Sequence, residues 1–340
     1  MDKHIFRDLL LLQVYMSTRT GTYVIQRTTD QGVPFDHKAV TRYGITVPFW
    51  LMKPFAYKRL NSRFDHSKYG LAPNGKFGLS AVTISDELPT RVLYGTISIK
   101  PNVKEFTQNG VIFDDGTKVD NIDIVILATG FKFSFPFLED SVVRIENNFP
   151  YLHELVFPVD LNPPTLAIIG LVQPFGALPP ILEMQTRWAA RVFSGKCQLP
   201  PSSVMTSNAE RKHQFMKSHF PESPKYSLQI HAVPYVDTIA KLIGCRPRLL
   251  KYFFTDPKFW YKLFFGPTSP PQWRLNGPGK WKGARQAIEQ IEEKTWFPLR
   301  TRQAGKGSRD GLYDGWIWLI TRSIFFITVL IAIYVQMTRS

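Results

Sequence analysis

Ile124-Val125-Ile126-Leu127-Ala128-Thr129-Gly130 is the stretch on which the fold turns. Five consecutive apolar residues leave no polar face, as expected of a strand covered on both sides in a mostly parallel sheet, and the run stops at Thr-Gly. A second run of the same kind, Leu166-Ala167-Ile168-Ile169-Gly170-Leu171-Val172, leads into Gln173-Pro174-Phe175-Gly176-Ala177-Leu178-Pro179-Pro180. Beyond it Ile181, Met184, Gln185, Trp188, Ala189 and Val192 recur at helical spacing, with Pro180 fit for the first turn and Gly195 placed to cap the end. In open α/β sheets ligands bind beyond the carboxyl ends of strands, where helix N-termini offer free N–H groups, so 170–180 is a candidate cofactor edge. Both runs also match plain central strands closed by tight glycine turns, and spacing alone leaves the two readings open.

Upstream, Arg91 to Gly130 is rich in hairpin signals. Ile97-Ser98-Ile99 alternates, as does Val103-Lys104-Glu105-Phe106. Asn109-Gly110 turns the chain, Val111-Ile112-Phe113 returns, and Asp115-Gly116 turns it again. The expected class is therefore α/β, with parallel and antiparallel elements mixed.

The 340 residues suit about two domains. Lys plus Arg number 42 against 27 Asp plus Glu, a formal charge of +15 that favours an anionic partner. With 44% hydrophobic and 20% charged residues the chain is not intrinsically disordered. Cys197 and Cys245 lie far apart without a CxxC or Cys/His cluster, so neither a disulfide framework nor a zinc site is supported. Seven histidines, among them His66, His153 and His231, form no recognisable constellation. The apolar run Leu9–Leu12 is too short for a signal peptide. From Trp316 to Met337 the sequence is almost wholly apolar, with Arg322 its single charge, long enough for a membrane-spanning helix over 313–337. Arg300, Arg302, Lys306 and Arg309 precede it and only Arg339 follows, which keeps the bulk of the chain cytosolic. A buried terminal helix and a non-spanning interfacial anchor are the alternatives.

Specific sequence surrounds the two apolar runs. Ile126-Leu127-Ala128-Thr129-Gly130-Phe131-Lys132-Phe133-Ser134-Phe135-Pro136-Phe137-Leu138 strongly resembles a block of the flavin-containing monooxygenases of dimethylaniline type. Pro163–Leu171, Gln173-Pro174, Gly176 and Glu183–Ala189 are similar to the next block. Tyr69-Gly70-Leu71, Phe265-Gly266-Pro267, Asn276–Trp281 and the apolar C-terminus extend the likeness over essentially the whole chain. The resemblance implies FAD and NADPH as cofactors. NADPH reduces the flavin, and the reduced flavin with O₂ oxygenates a soft nitrogen or sulfur nucleophile, a small amine or sulfide, without a protein nucleophile. It also implies the endoplasmic reticulum membrane.

One departure is marked. Such a flavoprotein has two G-x-G-x-x-G turns, where glycine lets the backbone approach a pyrophosphate. Here the G-x-G triplets are Gly277-Pro278-Gly279 and Gly305-Lys306-Gly307, neither of them between a strand and a helix. Val14–Val24 resembles the family's strand just after its second glycine motif, so the sequence is expected to start inside the NADPH-binding domain, as an N-terminally truncated member.

The implied organisation is a partial two-dinucleotide-domain, Rossmann-like flavoprotein. Residues 1–28 and 92–130 belong to the NADPH-binding domain with 29–91 inserted in it; 131–200 form the second half of the FAD-binding domain and 201–312 a mixed region. The resemblance assigns Ser17, Thr18 and Arg19 to the adenosine 2′-phosphate, Thr129 and Gly130 to the turn back toward the flavin, and Gly170, Gln173, Pro174 and Gly176 to the isoalloxazine edge. A solvated arginine and ordinary turn chemistry are the bland readings of these residues. Val47–Lys58, basic and aromatic, suits a bilayer or substrate access; no nucleic-acid signature accompanies it. Two functions follow: the oxygenase, or an inactive membrane-tethered fragment that binds without turning over.

Overall fold

The computed structural model describes residues 13–29, 32–73, 82–139, 141–219 and 228–302. It divides into two compact units, Met1–Ile291 and Glu292–Ser340. In the second, the described residues hold the end of the helix Ile291–Trp296 and a short 3-10 turn, Phe297–Leu299. The expected membrane helix over 313–337 lies outside the described residues. Among those described, no helix is long and apolar enough to cross a membrane.

The first unit is mixed α/β. Strand β1 (Val14–Ser17) is followed by β2 (Tyr23–Ile25), β3 (Val82–Ile84) and β4 (Ile97–Lys100). These pair in parallel as β1 with β4, Val14 opposite Ile97 through Ser17 opposite Lys100, and as β2 with β3. The expected hairpins form an antiparallel sheet of β5 (Val103–Phe106), β6 (Gly110–Phe113) and β7 (Lys118–Asp120), with Gly116 at φ 79° in the second turn. Ile97–Lys100 does not join this meander; it is claimed by β1, about eighty residues upstream, because a parallel partner completes its ladder there.

Two further hairpins follow, β8 (Ile145–Glu146) with β9 (Phe149–Pro150), and β10 (Leu152–His153) with β11 (Phe157–Pro158). Asn147 and Asn148 turn the first with φ of 51° and 61°, conformations that asparagine tolerates. The second turns on Glu154 and Leu155 at φ 49° and 58°, which is strained for both residue types and is held by buried hydrogen bonds described below. Finally β12 (Gln173–Phe175) pairs in parallel with β13 (Gln229–His231).

The main core forms where the helices after these last two strands, Pro179–Phe193 and Ala232–Ile243, pack together. The first buries Ile181, Met184, Gln185, Trp188, Ala189 and Val192, the stripe the spacing predicts. Trp188 is 1% exposed, with the Phe157 ring edge-on at 4.9 Å. Left-handed Gly195 follows the first helix, and Gly244 caps the second at φ 85°.

The two runs that announce a parallel sheet do not become strands over their length. Residues 123–132 are all exposed, with Ile124 at 74%, Val125 at 50%, Ile126 at 85% and Leu127 at 74%. The run has the side chains of a central strand, but no described strand lies beside it to complete a ladder. In the second run Ala167, Leu171 and Val172 pack on the core and Ile168 N–H donates to Val156 O at 2.8 Å, yet only Gln173–Phe175 finds a strand partner.

A buried ion pair fastens residues 41–46 to the 230–275 region. Arg42 donates to both carboxylate oxygens of Asp237, at 2.5 and 3.0 Å, and through Nε to Gln272 Oε1 at 2.9 Å; Trp273 Nε1 donates to Asp237 Oδ1 at 2.7 Å. The two charged side chains are 4% and 10% exposed. Removing one partner strands the other charge in the interior, which costs about 3–5 kcal/mol. Asp237→Ala is therefore expected to destabilise the protein by about that amount in chemical denaturation, and the double variant Arg42→Met/Asp237→Leu is expected to recover a large part of the loss. A neutral Asp237→Ala would contradict the assignment.

Candidate nucleotide site

The first group of residues lies where β1 ends beside β4. Thr18 N–H donates to Lys100 O at 3.0 Å, extending the parallel ladder by one rung, and Ser17 Oγ donates to Pro101 O at 2.7 Å. Thr18 Oγ1 accepts from Gly21 N–H at 3.0 Å and closes a tight turn. Gly21 takes φ 74°, and a Cβ there would stand 2.6 Å from Ala72 O, so the turn requires glycine. Arg19 is exposed on this turn and makes no hydrogen bond or ion pair among the described residues. Across the ladder from Ser17 is Lys100, whose Nζ donates to Thr117 Oγ1 at 3.3 Å and lies 5.4 Å from the Phe113 ring centroid. Asp115 holds its carboxylate below the usual range, chiefly through hydrogen bonds from Thr117, with the Lys100 charge adding to the effect. Hydroxyl, guanidinium and ammonium groups thus lie at the carboxyl end of one parallel pair, group types whose chemistry suits an anion.

This turn leads directly into β2, whose position is set by a buried histidine. His66, 1% exposed, accepts the Val24 N–H on Nε2 at 3.0 Å, so its proton is on Nδ1, 2.9 Å from Asn61 Oδ1. Burial pushes its pKa below the ordinary 6.5.

The second group lies at β12. Gly170, at φ 90°, donates its N–H to Gln185 Oε1 at 2.8 Å; Gln185 Nε2 donates to Tyr235 OH at 2.7 Å; Tyr235 OH donates to Glu154 O at 2.5 Å. Asn208 Nδ2 holds the Glu154 carboxylate at 2.9 Å. Gln185 is fully buried, and burial raises the Tyr235 pKa far enough to keep the phenol un-ionised. This chain of hydrogen bonds fixes both the strained Glu154 turn and the Gly170 amide. Gln173 N–H donates to Leu228 O at 2.7 Å and its side chain is exposed, Pro174 pairs opposite Ile230, and Gly176 takes φ 131°. A Cβ on Gly176 would meet Ala232 and Val40 at 3.5 and 3.8 Å, so the turn lies close against both.

Because β12 and β13 are parallel, the helices that follow them both start at this edge. Pro179 and Pro180 open one, and Pro234 is third in the other; proline has no N–H, so the edge is poor in donors for a charged pyrophosphate. Thr129 and Gly130 are exposed, with Gly130 at φ 93°; neither hydrogen-bonds to the Ser17 or the Gly170 group among the described residues. Nor do the described residues hold a His/Cys/Asp/Glu cluster fit for a metal.

A family model described as flavin-binding monooxygenase-like matches residues 9–338. The chain belongs to that family. It is similar to dimethylaniline monooxygenase (N-oxide-forming) 2 of Oryctolagus cuniculus, 42% identical over 294 residues, which cover 85% of this chain and 55% of that protein. It is also similar to flavin-containing monooxygenase 5 of Rattus norvegicus, 40% identical over 326 residues, 95% of this chain and 61% of the other. The chain thus spans little more than half the length of these curated relatives. Among solved structures, the S-allyl-L-cysteine S-oxygenase of Allium sativum matches at 19% identity and a TM-score of 0.40, over 83% of this chain and 56% of that one.

Against this family background, sequence reading misses three features. Lys100 is invisible as a site residue until β4 is known to pair with β1. Gln185 carries a usable signal, a polar residue on an otherwise apolar stripe, but its partners Gly170 and Tyr235 are distant in sequence. Arg42 and Asp237 lack any local sign of their pairing.

The histidine beneath β2 generates a pH test. Since the folded-state pKa of His66 lies below 6.5, the unfolded chain takes up the proton first; stability is full above about pH 6.5 and declines as pH falls toward the folded value. His153 and His213 are shifted the same way by burial. The unfolding midpoint is expected to drop between about pH 7.5 and 5.5, and to drop less steeply in His66→Gln. A midpoint that rises on acidification would contradict the neutral, buried assignment.

Proposed function

We propose that this chain supplies the NADPH-phosphate end of an FAD- and NADPH-dependent monooxygenase acting on soft nitrogen or sulfur nucleophiles of small amines or sulfides. The observation that carries the reading is the exposed Arg19 on the Ser17-Thr18 turn, without a hydrogen-bond or ion-pair partner among the described residues, with Lys100 across the ladder. When bound, NADPH supplies the hydride, and the flavin with O₂ supplies the oxygen atom. The chain's own share is to bind and orient. Ser17, Thr18 and Arg19 hold the 2′-phosphate; Gly170, Gln173, Pro174 and Gly176 present a glycine-lined edge to the flavin ring, with Thr129 and Gly130 on the turn between the two sides. The residues fit the phosphate and the ring. They do not fit the flavin pyrophosphate: the 340 residues hold no G-x-G-x-x-G turn, and the two helix starts at the β12 edge both carry proline in their first turn.

The same proposal includes the division into 1–28 plus 92–130, an insertion at 29–91, 131–200 and 201–312. It also includes a C-terminal anchor over 313–337 in the endoplasmic reticulum membrane, with the bulk of the chain cytosolic. Trp50 and Phe55, 71% and 73% exposed on the helix Phe49–Asn61 beside Lys53, Lys58 and Arg59, support contact with an anionic bilayer. A chain that binds nucleotide without oxygenating is the second reading, favoured by the missing pyrophosphate cradle.

Titration with 2′,5′-ADP and 5′-AMP tests the phosphate site. The wild type is expected to prefer 2′,5′-ADP. A charge-assisted contact contributes about 1.5–3 kcal/mol, so Arg19→Ala is expected to weaken 2′,5′-ADP about ten- to a hundredfold and leave 5′-AMP unchanged. Equal affinity for the two ligands in the wild type would refute the site. Substrate-dependent NADPH oxidation with a tertiary amine or thioether and added FAD separates the oxygenase from the binding protein.

A further inference from the structure

We infer that the turn between β6 and β7, Asp115 to Thr117, is a positioning device for Lys100: the Thr117 hydroxyl holds the Lys100 ammonium at the carboxyl end of the β1–β4 pair, and discrimination of a 2′-phosphorylated nucleotide from its unphosphorylated counterpart depends on that hold. The inference rests on the phosphate reading above and deepens it, by giving a hairpin outside the site residues a part in ligand choice.

The geometry begins with the ladder. Ser17 and Lys100 stand opposite one another in a parallel pair, so their side chains leave it on the same face. Thr18 still bonds to Lys100 O, and alternation returns Arg19 to the Ser17 face. A lysine ammonium on its four-carbon stem has rotamer freedom that binding must remove. Here two contacts remove it in advance. One is the Phe113 ring, 3% exposed and so a fixed wall, with Lys100 Nζ 5.4 Å from its centroid. The other is Thr117 Oγ1, which accepts from Lys100 Nζ at 3.3 Å and donates to Asp115 Oδ1 at 2.7 Å. The hydroxyl's single proton is committed to Asp115, which leaves its lone pairs to the lysine. Thr117 N–H donates to the same carboxylate oxygen at 2.9 Å, and the turn is closed by Phe113 N–H to Thr117 O and Gly116 N–H to Phe113 O, both 2.9 Å. No described carboxylate lies within ion-pair distance of Lys100, and Thr117 takes only one of the ammonium protons, so the rest remain for an anion. Valine has the shape of threonine without the hydroxyl, and in its place the lysine would lose its tether.

A double-mutant cycle on the full 340-residue chain, read by titration with 2′,5′-ADP and 5′-AMP, tests this. Thr117→Val, a change at an exposed position, is expected to weaken 2′,5′-ADP about two- to tenfold, the cost of ordering one freed lysine side chain, with 5′-AMP affinity and the unfolding midpoint unchanged. Thr117→Ser keeps the hydroxyl and is expected to bind as the wild type does. Lys100→Met is expected to weaken 2′,5′-ADP about tenfold or more. Adding Thr117→Val to it is expected to change nothing further, because the threonine acts through the lysine. Wild-type binding of 2′,5′-ADP by Thr117→Val would overturn the inference. So would an equal loss of both nucleotides, which marks a structural role, or effects of the two substitutions that simply multiply. A wild type without preference for 2′,5′-ADP would take down the phosphate reading itself. Preference that depends on Arg19 and not on Thr117 would leave that reading standing and remove only the hairpin's role.

Discussion

A parallel strand with apolar side chains on both faces is stable only when its edges are paired and its faces are covered, and much of this molecule follows from where that condition is met. It is met in short pieces. β1 finds β4, β2 finds β3, and β12 finds β13. Each pair brings two carboxyl ends together, and at two of them, β1/β4 and β12/β13, lie most of the candidate site residues. Where the condition fails, at 124–128, the most strand-like sequence in the chain lies in water.

The two candidate regions differ in how their geometry is secured. Around Arg19 the work is done by backbone, through one extra ladder bond from Thr18, a hydroxyl-closed turn and a glycine no other residue can replace without displacing Ala72. Around Gly170 it is done by buried side chains, with Gln185 and Tyr235 linking a glycine amide to a strained turn. The first leaves Arg19 exposed and without a partner among the described residues; the second consumes its polar groups internally and leaves an edge of glycine and proline. That contrast is the one the proposed function uses, a phosphate on one side and an uncharged ring on the other.

Local signals in the sequence were legible because local physics decides them. The turns at Gly110 and Gly116, the stripe from Ile181 to Val192 and the cap at Gly195 each depend on residues within a few positions. The pairing of Ile97–Lys100 with Val14–Ser17, the bond from Gly170 to Gln185 and the Arg42–Asp237 pair depend on chain segments brought together from afar, and no spacing rule reaches them. The family blocks supplied what periodicity lacked, pointing to Arg19 and Gly176 as candidate site residues when neither stands out by composition. The apolar run at 124–128 misled for a different reason: its sequence describes an environment that the described residues do not provide.

The account stands or falls on where an adenosine 2′-phosphate binds. The most direct measurement is a crystal structure of the chain with 2′,5′-ADP. The account predicts the 2′-phosphate within hydrogen-bonding distance of the Arg19 guanidinium at the carboxyl end of β1, with Lys100 beside it. Phosphate bound elsewhere, for instance among Lys258, Lys262 and Arg285, with Arg19 untouched, would contradict it.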